Sequence, residues 1–221
     1  MQVKAVLFDF DGTLIDSESV WLGAERQLLF ARGQSLRAAD EGALIGLDAL
    51  SVVNWLRGRY GLTDSARDLH CELLELVAAR QHHASVMPGA EALLGWLEVR
   101  RIPKVIVSNS EAAVVRIGLE RLGWLARFED VIGVDDVAHP KPHPAPYNMA
   151  LQRLGLPAGA CVALEDSVAG ATSAFKAGLP VLGVQAQPAL RPAALHDLCV
   201  TLLEDLTEAR DWIEQQLLVT T

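Results

Sequence analysis

The sequence predicts an α/β fold: a parallel sheet with helices on both faces, interrupted early by an all-helical insertion. Three observations predict it. Short runs rich in β-branched and aromatic residues recur along the chain. Segments with helical spacing of apolar residues lie between them. From about residue 17 to 81 the alternation stops, and no convincing strand occurs.

Residues 3–8 (Val-Lys-Ala-Val-Leu-Phe) are short, rich in strand-forming residues and closed by an acidic turn, which reads as a buried strand. Residues 17–31, 50–60 and 65–80 then show helical periodicity, punctuated by Gly33, Gly46 and Gly61. Such a segment either closes over a site as a lid or packs as a plain helical subdomain. A strand at 103–107 resumes the alternation, followed by a helix at 111–122 and a weaker strand at 131–134. A helix at 146–154 precedes a strand at 160–164. The helix at 167–177 is stopped by Gly178, with Pro180 beyond it, and a strand at 180–184 follows. Strands alternating with helices imply a parallel sheet covered on both faces, with ligands at the carboxyl ends of the strands. The expected boundaries are residues 1–15 and 87–221 for the sheet domain and 16–86 for the insertion.

Composition excludes several classes. The chain of 221 residues is 51% hydrophobic and 21% charged. It has no apolar run long enough to span a bilayer, and its start turns acidic too soon for a signal peptide, so a cytoplasmic protein without a membrane partner is expected. The net charge of −9 argues against a nucleic-acid surface, which needs a basic stripe. It leaves room for a small phosphorylated metabolite, because one local cation and a metal can hold an anion inside an acidic protein. Cys71, Cys161 and Cys199 lack metal-ligand spacing and read as reduced, buried structural thiols. The protein is expected to be a monomer.

Four short stretches carry residues that a phosphate-handling site needs. Asp9 ends the first strand, and Asp11 can reach the same space if Gly12 turns the chain. One carboxylate can attack phosphorus, and a second carboxylic acid can protonate the leaving oxygen and then activate water. Thr13 offers a hydroxyl and an N–H near a bound anion. Such a pair is also common in plain turns. Ser108 and Asn109 follow the second strand and can donate to phosphate oxygens, although Ser108 or Ser110 could equally cap the next helix. Lys141 lies between Pro140 and Pro142, a stiff mount for one ammonium or simply an exposed loop lysine. Glu165 and Asp166 close an apolar run; they repel each other without a cation, and with Asp9 they offer hard oxygen ligands that suit Mg²⁺. Ser167 is a plausible N-cap, and acidic capping of that helix is the simpler alternative.

Asp9-Phe10-Asp11-Gly12-Thr13, Ser108-Asn109, Lys141-Pro142 and Glu165-Asp166-Ser167-Val168-Ala169-Gly170 together resemble the four ordered motifs of the haloacid dehalogenase superfamily. The resemblance covers residues 4–184. The stretches from Leu14 to Glu18 and from Lys141 to Tyr147 look like its β-phosphoglucomutase-like branch, and within it most like small sugar-phosphate phosphatases of the 2-deoxyglucose-6-phosphate phosphatase kind. The resemblance implies a Rossmann-like core with a helical cap. It implies Asp9 as the nucleophile forming an aspartyl-phosphate, Asp11 as acid and base, and Ser108 and Lys141 as holders of the phosphoryl group. It also implies Mg²⁺ held by Asp9, the Asp11 backbone carbonyl, Asp166 and, directly or through water, Glu165.

Departures narrow the expectation to a phosphomonoester hydrolase acting on a small sugar or polyol phosphate. Mutases of this branch carry a histidine where Trp21 stands, and a lysine and an arginine around a cap glycine where residues 44–49 carry no cation. A hexose phosphomutase is therefore the alternative. Pro140 replaces a glycine often found before the motif lysine, and Asp11 speaks against dehalogenation. Glu18 is the expected substrate contact from the insertion, with Trp21, Asp48 and Asn54 as further specificity candidates.

Overall fold

The computed structural model describes residues 3–44, 46–184 and 194–218. Strand β1 (Ala5–Phe8) runs through a turn into a two-residue strand, β2 (Ile15–Asp16). Helices α1 (Glu18–Phe30), α2 (Ala38–Glu41), α3 (Ala49–Tyr60) and α4 (Ala66–Arg80) follow. A second two-residue strand, β3 (Ser85–Val86), brings the chain back. After α5 (Ala90–Val99) come β4 (Lys104–Val107), α6 (Ala112–Arg121), β5 (Asp130–Ile132), α7 (Ala145–Leu154), β6 (Cys161–Glu165) and α8 (Val168–Lys176). The chain ends with β7 (Val181–Val184), α9 (Ala194–Leu198), β8 (Thr201–Leu203) and α10 (Leu206–Leu218).

The main sheet has six strands in the order β5-β4-β1-β6-β7-β8, and every neighbouring pair is parallel. Side chains on its strands alternate between two cores. Val6 and Phe8 of β1, Ile106 of β4 and Val162 and Leu164 of β6 pack on one face; Ala5, Leu7, Val105, Val107, Cys161 and Ala163 pack on the other. Helices α5, α6 and α10 cover the first face through residues such as Leu94, Val115 and Ile213. Helices α7, α8 and α9 cover the second through Tyr147, Ala171 and Leu195. Each fully buried Leu, Val or Phe of this kind contributes roughly 1.5–3 kcal/mol. The chain leaves β1 for β4 and β5 on one side, then crosses back to β6 on the other. The crevice at the carboxyl end of β1 is therefore the place where such a fold receives a ligand.

The first core continues into the insertion, where Val20 and Leu28 of α1 meet Val52 and Leu56 of α3 and Leu69 and Leu73 of α4. Strands β2 and β3 pair antiparallel, Ile15 opposite Val86 and Asp16 opposite Ser85. The insertion thus leaves and returns through one narrow neck. It touches the sheet domain again where His70 Nε2 lies 2.6 Å from Glu111 Oε1, and where Arg121 donates to the Ala84 carbonyl at 2.8 Å.

The alternation read from the sequence is present, with the weak strand shifted to Asp130–Ile132 because Gly133 leaves the sheet. Strand β8 is too short for periodicity to reveal, and α5 and α10 were not anticipated. Cys161 is buried as expected, but Cys71 is exposed on α4 and Cys199 is half-buried. Among the described residues, no helix is long and apolar enough to cross a membrane.

Candidate active site

The first carboxylate is fixed by the sheet itself. The Asp9 N–H donates to the Leu164 carbonyl at 3.0 Å, which extends the β1–β6 ladder by one bond and stops the side chain at the sheet edge. The chain then turns at Gly12, whose φ is +80°. A Cβ at Gly12 would lie 2.2 Å from Asp166 Oδ2. Glycine therefore permits both the turn and the approach of a second carboxylate.

Lys141 comes from the loop between β5 and α7, far along the chain. Asn109 holds it there: the Lys141 N–H donates to Asn109 Oδ1 at 2.9 Å, and Asn109 Nδ2 donates to the Lys141 carbonyl at 3.2 Å. The ammonium donates to Asp9 Oδ1 at 2.7 Å, Glu165 Oε1 at 2.6 Å and the Val107 carbonyl at 2.7 Å. All of its donors are used. Glu165 Oε1 also accepts the Tyr147 hydroxyl. Glu165 Oε2 has no hydrogen-bond partner among the described residues and faces Gly170, where a Cβ would sit 1.8 Å away. Ser167 caps α8, accepting the Gly170 N–H at 3.0 Å.

Burial raises the Asp9 carboxyl well above the ordinary carboxylate range; Lys141 opposes this, while Glu165 and Asp166 add to it. Burial, reinforced by Glu165, likewise lifts Asp166 to about 7. Burial pulls the Lys141 ammonium down, but Asp9 and Glu165 more than reverse this and keep it protonated. Asp9, Glu165 and Asp166 each place an oxygen within 4.8 Å of the others. With one ammonium among three carboxyls, ionising all three would leave an excess of two negative charges. The orphaned buried oxygen, the raised carboxyls and the hard donor set all fit a divalent cation.

Asp11 is held by groups from both parts of the chain. Its Oδ2 accepts the Ser110 hydroxyl at 2.7 Å; its Oδ1 accepts the Ser17 hydroxyl at 2.6 Å and the Trp21 indole N–H at 3.3 Å. Ser110 therefore does not cap α6. Asp135 does, accepting the Ala112 N–H at 2.8 Å. Ser108 is buried, and its hydroxyl accepts the Ser110 N–H at 3.0 Å.

These groups open into a cavity of about 360 Å³ between the sheet edge and the insertion. Asp9, Asp11, Ser108, Asn109, Lys141 and Asp166 form its floor, and Glu18 reaches it from the roof. Glu165 lies behind the floor and does not line the cavity. Thr13 is fully buried, does not line the cavity, and has a hydroxyl without a partner among the described residues. Trp21 also lines the cavity, whereas Asp48 caps α3 by accepting the Ser51 N–H at 3.0 Å, and Asn54 is exposed. Ile45, in the stretch expected to lack a cation, falls outside the described residues.

Sequence reasoning did not find Ser17 and Ser110 as holders of Asp11, Tyr147 as a donor to Glu165, or Glu25 in the roof. For Glu25 a signal existed: Glu18, Trp21 and Glu25 share one face of α1 at helical spacing.

A model of the haloacid dehalogenase-like hydrolase family matches residues 3–178. The chain belongs to this family. Within the family's range, it is 34% identical to a phosphoglycolate phosphatase of Rhodospirillum rubrum, over 95% of this chain and 90% of that one. It is 33% identical to hexitol phosphatase A of Escherichia coli, over 94% of each. The fold is that of CbbY from Rhodobacter sphaeroides, solved in complex with phosphate: the TM-score is 0.85 at 23% identity, over 94% of this chain and 96% of that one. The protein is thus a haloacid dehalogenase-like hydrolase whose relatives include phosphatases.

Proposed function

We propose that this hydrolase is a Mg²⁺-dependent phosphomonoesterase that acts on a small sugar or polyol phosphate through an aspartyl-phosphate on Asp9. The observation that carries the reading is the Lys141 ammonium bridging Asp9 and Glu165 at the base of the cavity, with Asp11 beside them. An Asp9 oxygen attacks phosphorus as the ester bond to the leaving oxygen breaks, and Asp11 gives that oxygen a proton. Asp11 then takes a proton from water as the water attacks phosphorus, which releases phosphate and restores the Asp9 carboxylate. Ser108, whose hydroxyl hydrogen is not engaged by Ser110, donates to the phosphoryl oxygens, and Lys141, fixed on Asp9, places its charge beside them. Ser17, Ser110 and Trp21 set the position from which Asp11 works. Asn109 acts on the phosphoryl group at one remove, by fixing the Lys141 backbone. Asp9, Asp166 and the Asp11 carbonyl would hold Mg²⁺, with Glu165 adding charge directly or through water. The ion supplies the remaining positive charge against the transferring group, the largest contribution expected in phosphoryl transfer.

Residues 16–86 serve as a cap over this floor, with Glu18 and Trp21 facing the leaving group. The charge pattern favours hydrolysis over phosphomutase chemistry. A bisphosphate intermediate needs a distal cation, and no lysine or arginine of the insertion lines the cavity among the described residues. Phosphate release from hexitol and hexose monophosphates tests the reading. EDTA is expected to abolish release and Mg²⁺ to restore it; full activity after rigorous chelation overturns the metal assignment. Isomerisation of β-glucose 1-phosphate that outpaces phosphate release, with a bisphosphate primer present, overturns the choice of hydrolase.

A further inference from the structure

The roof of the cavity contains a buried carboxyl that the chemistry above does not use. Glu25 is 4% exposed and lines the cavity from α1. It makes no hydrogen bond or ion pair with any described residue. Its neighbour Glu41 also lines the cavity, but that carboxylate is tied outward to Arg26 at 2.7 Å. Lys141, the cation lining the cavity, lies in the floor with its donors taken. The far end of the cavity is therefore acidic, with one acid lacking a partner.

We propose that Glu25 is the specificity-determining residue of this site: it receives a hydroxyl of an uncharged polyol or sugar leaving group and, with Glu41, turns away leaving groups that carry a second anion. The inference rests on the phosphomonoesterase reading. Burial, with Glu41 adding and Arg26 opposing, pushes the Glu25 carboxyl up to about 7. It therefore alternates near neutral pH between an acid that donates and accepts and a carboxylate that only accepts. A hydroxyl can satisfy either form. A carboxylate or second phosphate meets an acceptor, or a like charge, in a water-poor space. A cavity of about 360 Å³ is within the range that encloses a sugar-sized group. Relatives of similar identity are named for both kinds of leaving group, an anionic one and a neutral one, and the inference assigns this chain to the neutral kind.

The experiment compares kcat/KM for three esters with Mg²⁺: a hexitol monophosphate, phosphoglycolate, and p-nitrophenyl phosphate, which carries neither hydroxyls nor a second anion. The wild-type protein is expected to prefer the hexitol ester to phosphoglycolate by about tenfold or more. Glu25→Leu is expected to lower the hexitol value about tenfold more than the aryl value. Glu25→Gln keeps hydrogen bonding without charge; it is expected to retain most hexitol turnover and to narrow the discrimination against phosphoglycolate. Thermal melting of both variants confirms that they fold. Phosphoglycolate preferred by the wild-type protein, or equal losses on all three esters in both variants, overturns the inference while the hydrolase reading stands. No phosphate release from any ester by the wild-type protein overturns both.

Discussion

The floor and the roof of the cavity are built on opposite rules. In the floor, Lys141 satisfies Asp9, Glu165 and the Val107 carbonyl at once, and Tyr147 and Asn109 lock its surroundings. In the roof, Glu25 is as buried as Asp9 yet has no hydrogen-bond or ion-pair partner among the described residues. A buried group with several partners is held in one position; a buried group without them is left to a ligand. The floor has the character of fixed chemistry and the roof that of recognition.

The comparison breaks most visibly at Asp9. Asp9→Asn keeps the size and removes the nucleophilic charge, so phosphate release is expected to fall by several powers of ten, roughly 10³-fold or more, with folding intact. A folded variant retaining more than about a tenth of wild-type turnover would remove Asp9 from the chemistry. Asp11→Asn comes next, with a loss of about 10²–10⁴-fold on alkyl phosphates and a smaller loss on an activated aryl phosphate. Equal slowing of both esters, when phosphorylation limits the rate, would show that Asp11 is not the acid.

The roof makes its prediction through pH. The Glu25 carboxyl rises from 4.5 to about 7, so across that window the folded protein holds a proton that the unfolded chain has released. Stability gained at low pH is therefore lost as pH rises from 4.5 to 7. Asp166 contributes a slope of the same sign in metal-free protein. The difference between wild type and Glu25→Gln isolates Glu25: the variant is expected to gain up to about 3 kcal/mol at pH 8 and little at pH 4. Denaturant unfolding with EDTA at both pH values measures it, and equal gains at both would mean that folding does not raise the Glu25 carboxyl. The smallest effect belongs to the floor. Tyr147→Phe removes one hydrogen bond to Glu165 but leaves Lys141 in place, so a loss of about 1–2 kcal/mol is expected in the same unfolding assay. A loss as large as that of a broken buried ion pair, about 3–5 kcal/mol, would make Tyr147 part of the charge network rather than its support.

The same contrast explains what the sequence disclosed. Asp9 and Ser108 follow β1 and β4 directly and Glu165 ends β6, so these three could be read from local pattern alone. Lys141 needed the resemblance, because its loop leaves the sheet and only the fold returns it to Asp9. The sequence left Ser108 or Ser110 as an alternative cap because capping and side-chain bonding to Asp11 demand the same residue type; the cap on Ala112 comes instead from Asp135, 23 residues further on. Roof residues are spread over α1 and α2 at helical spacing, which looks the same whether a face meets a core or a cavity. Glu25 reads as an ordinary helix glutamate until Glu41 and Trp21 are placed beside it.

The neck between the two regions has a consequence for exchange of parts. Because Ile15 pairs with Val86 and Asp16 with Ser85, the insertion begins and ends on adjacent strands, about 5 Å apart. A different helical segment with ends at that spacing could be grafted between Asp16 and Ser85 while β1, β4 and β6 kept their register. The graft would carry one obligation. Ser17 and Trp21 lie on the transplanted side and hold Asp11, so a new roof that omitted them would bring its own selectivity and leave Asp11 held by Ser110 alone.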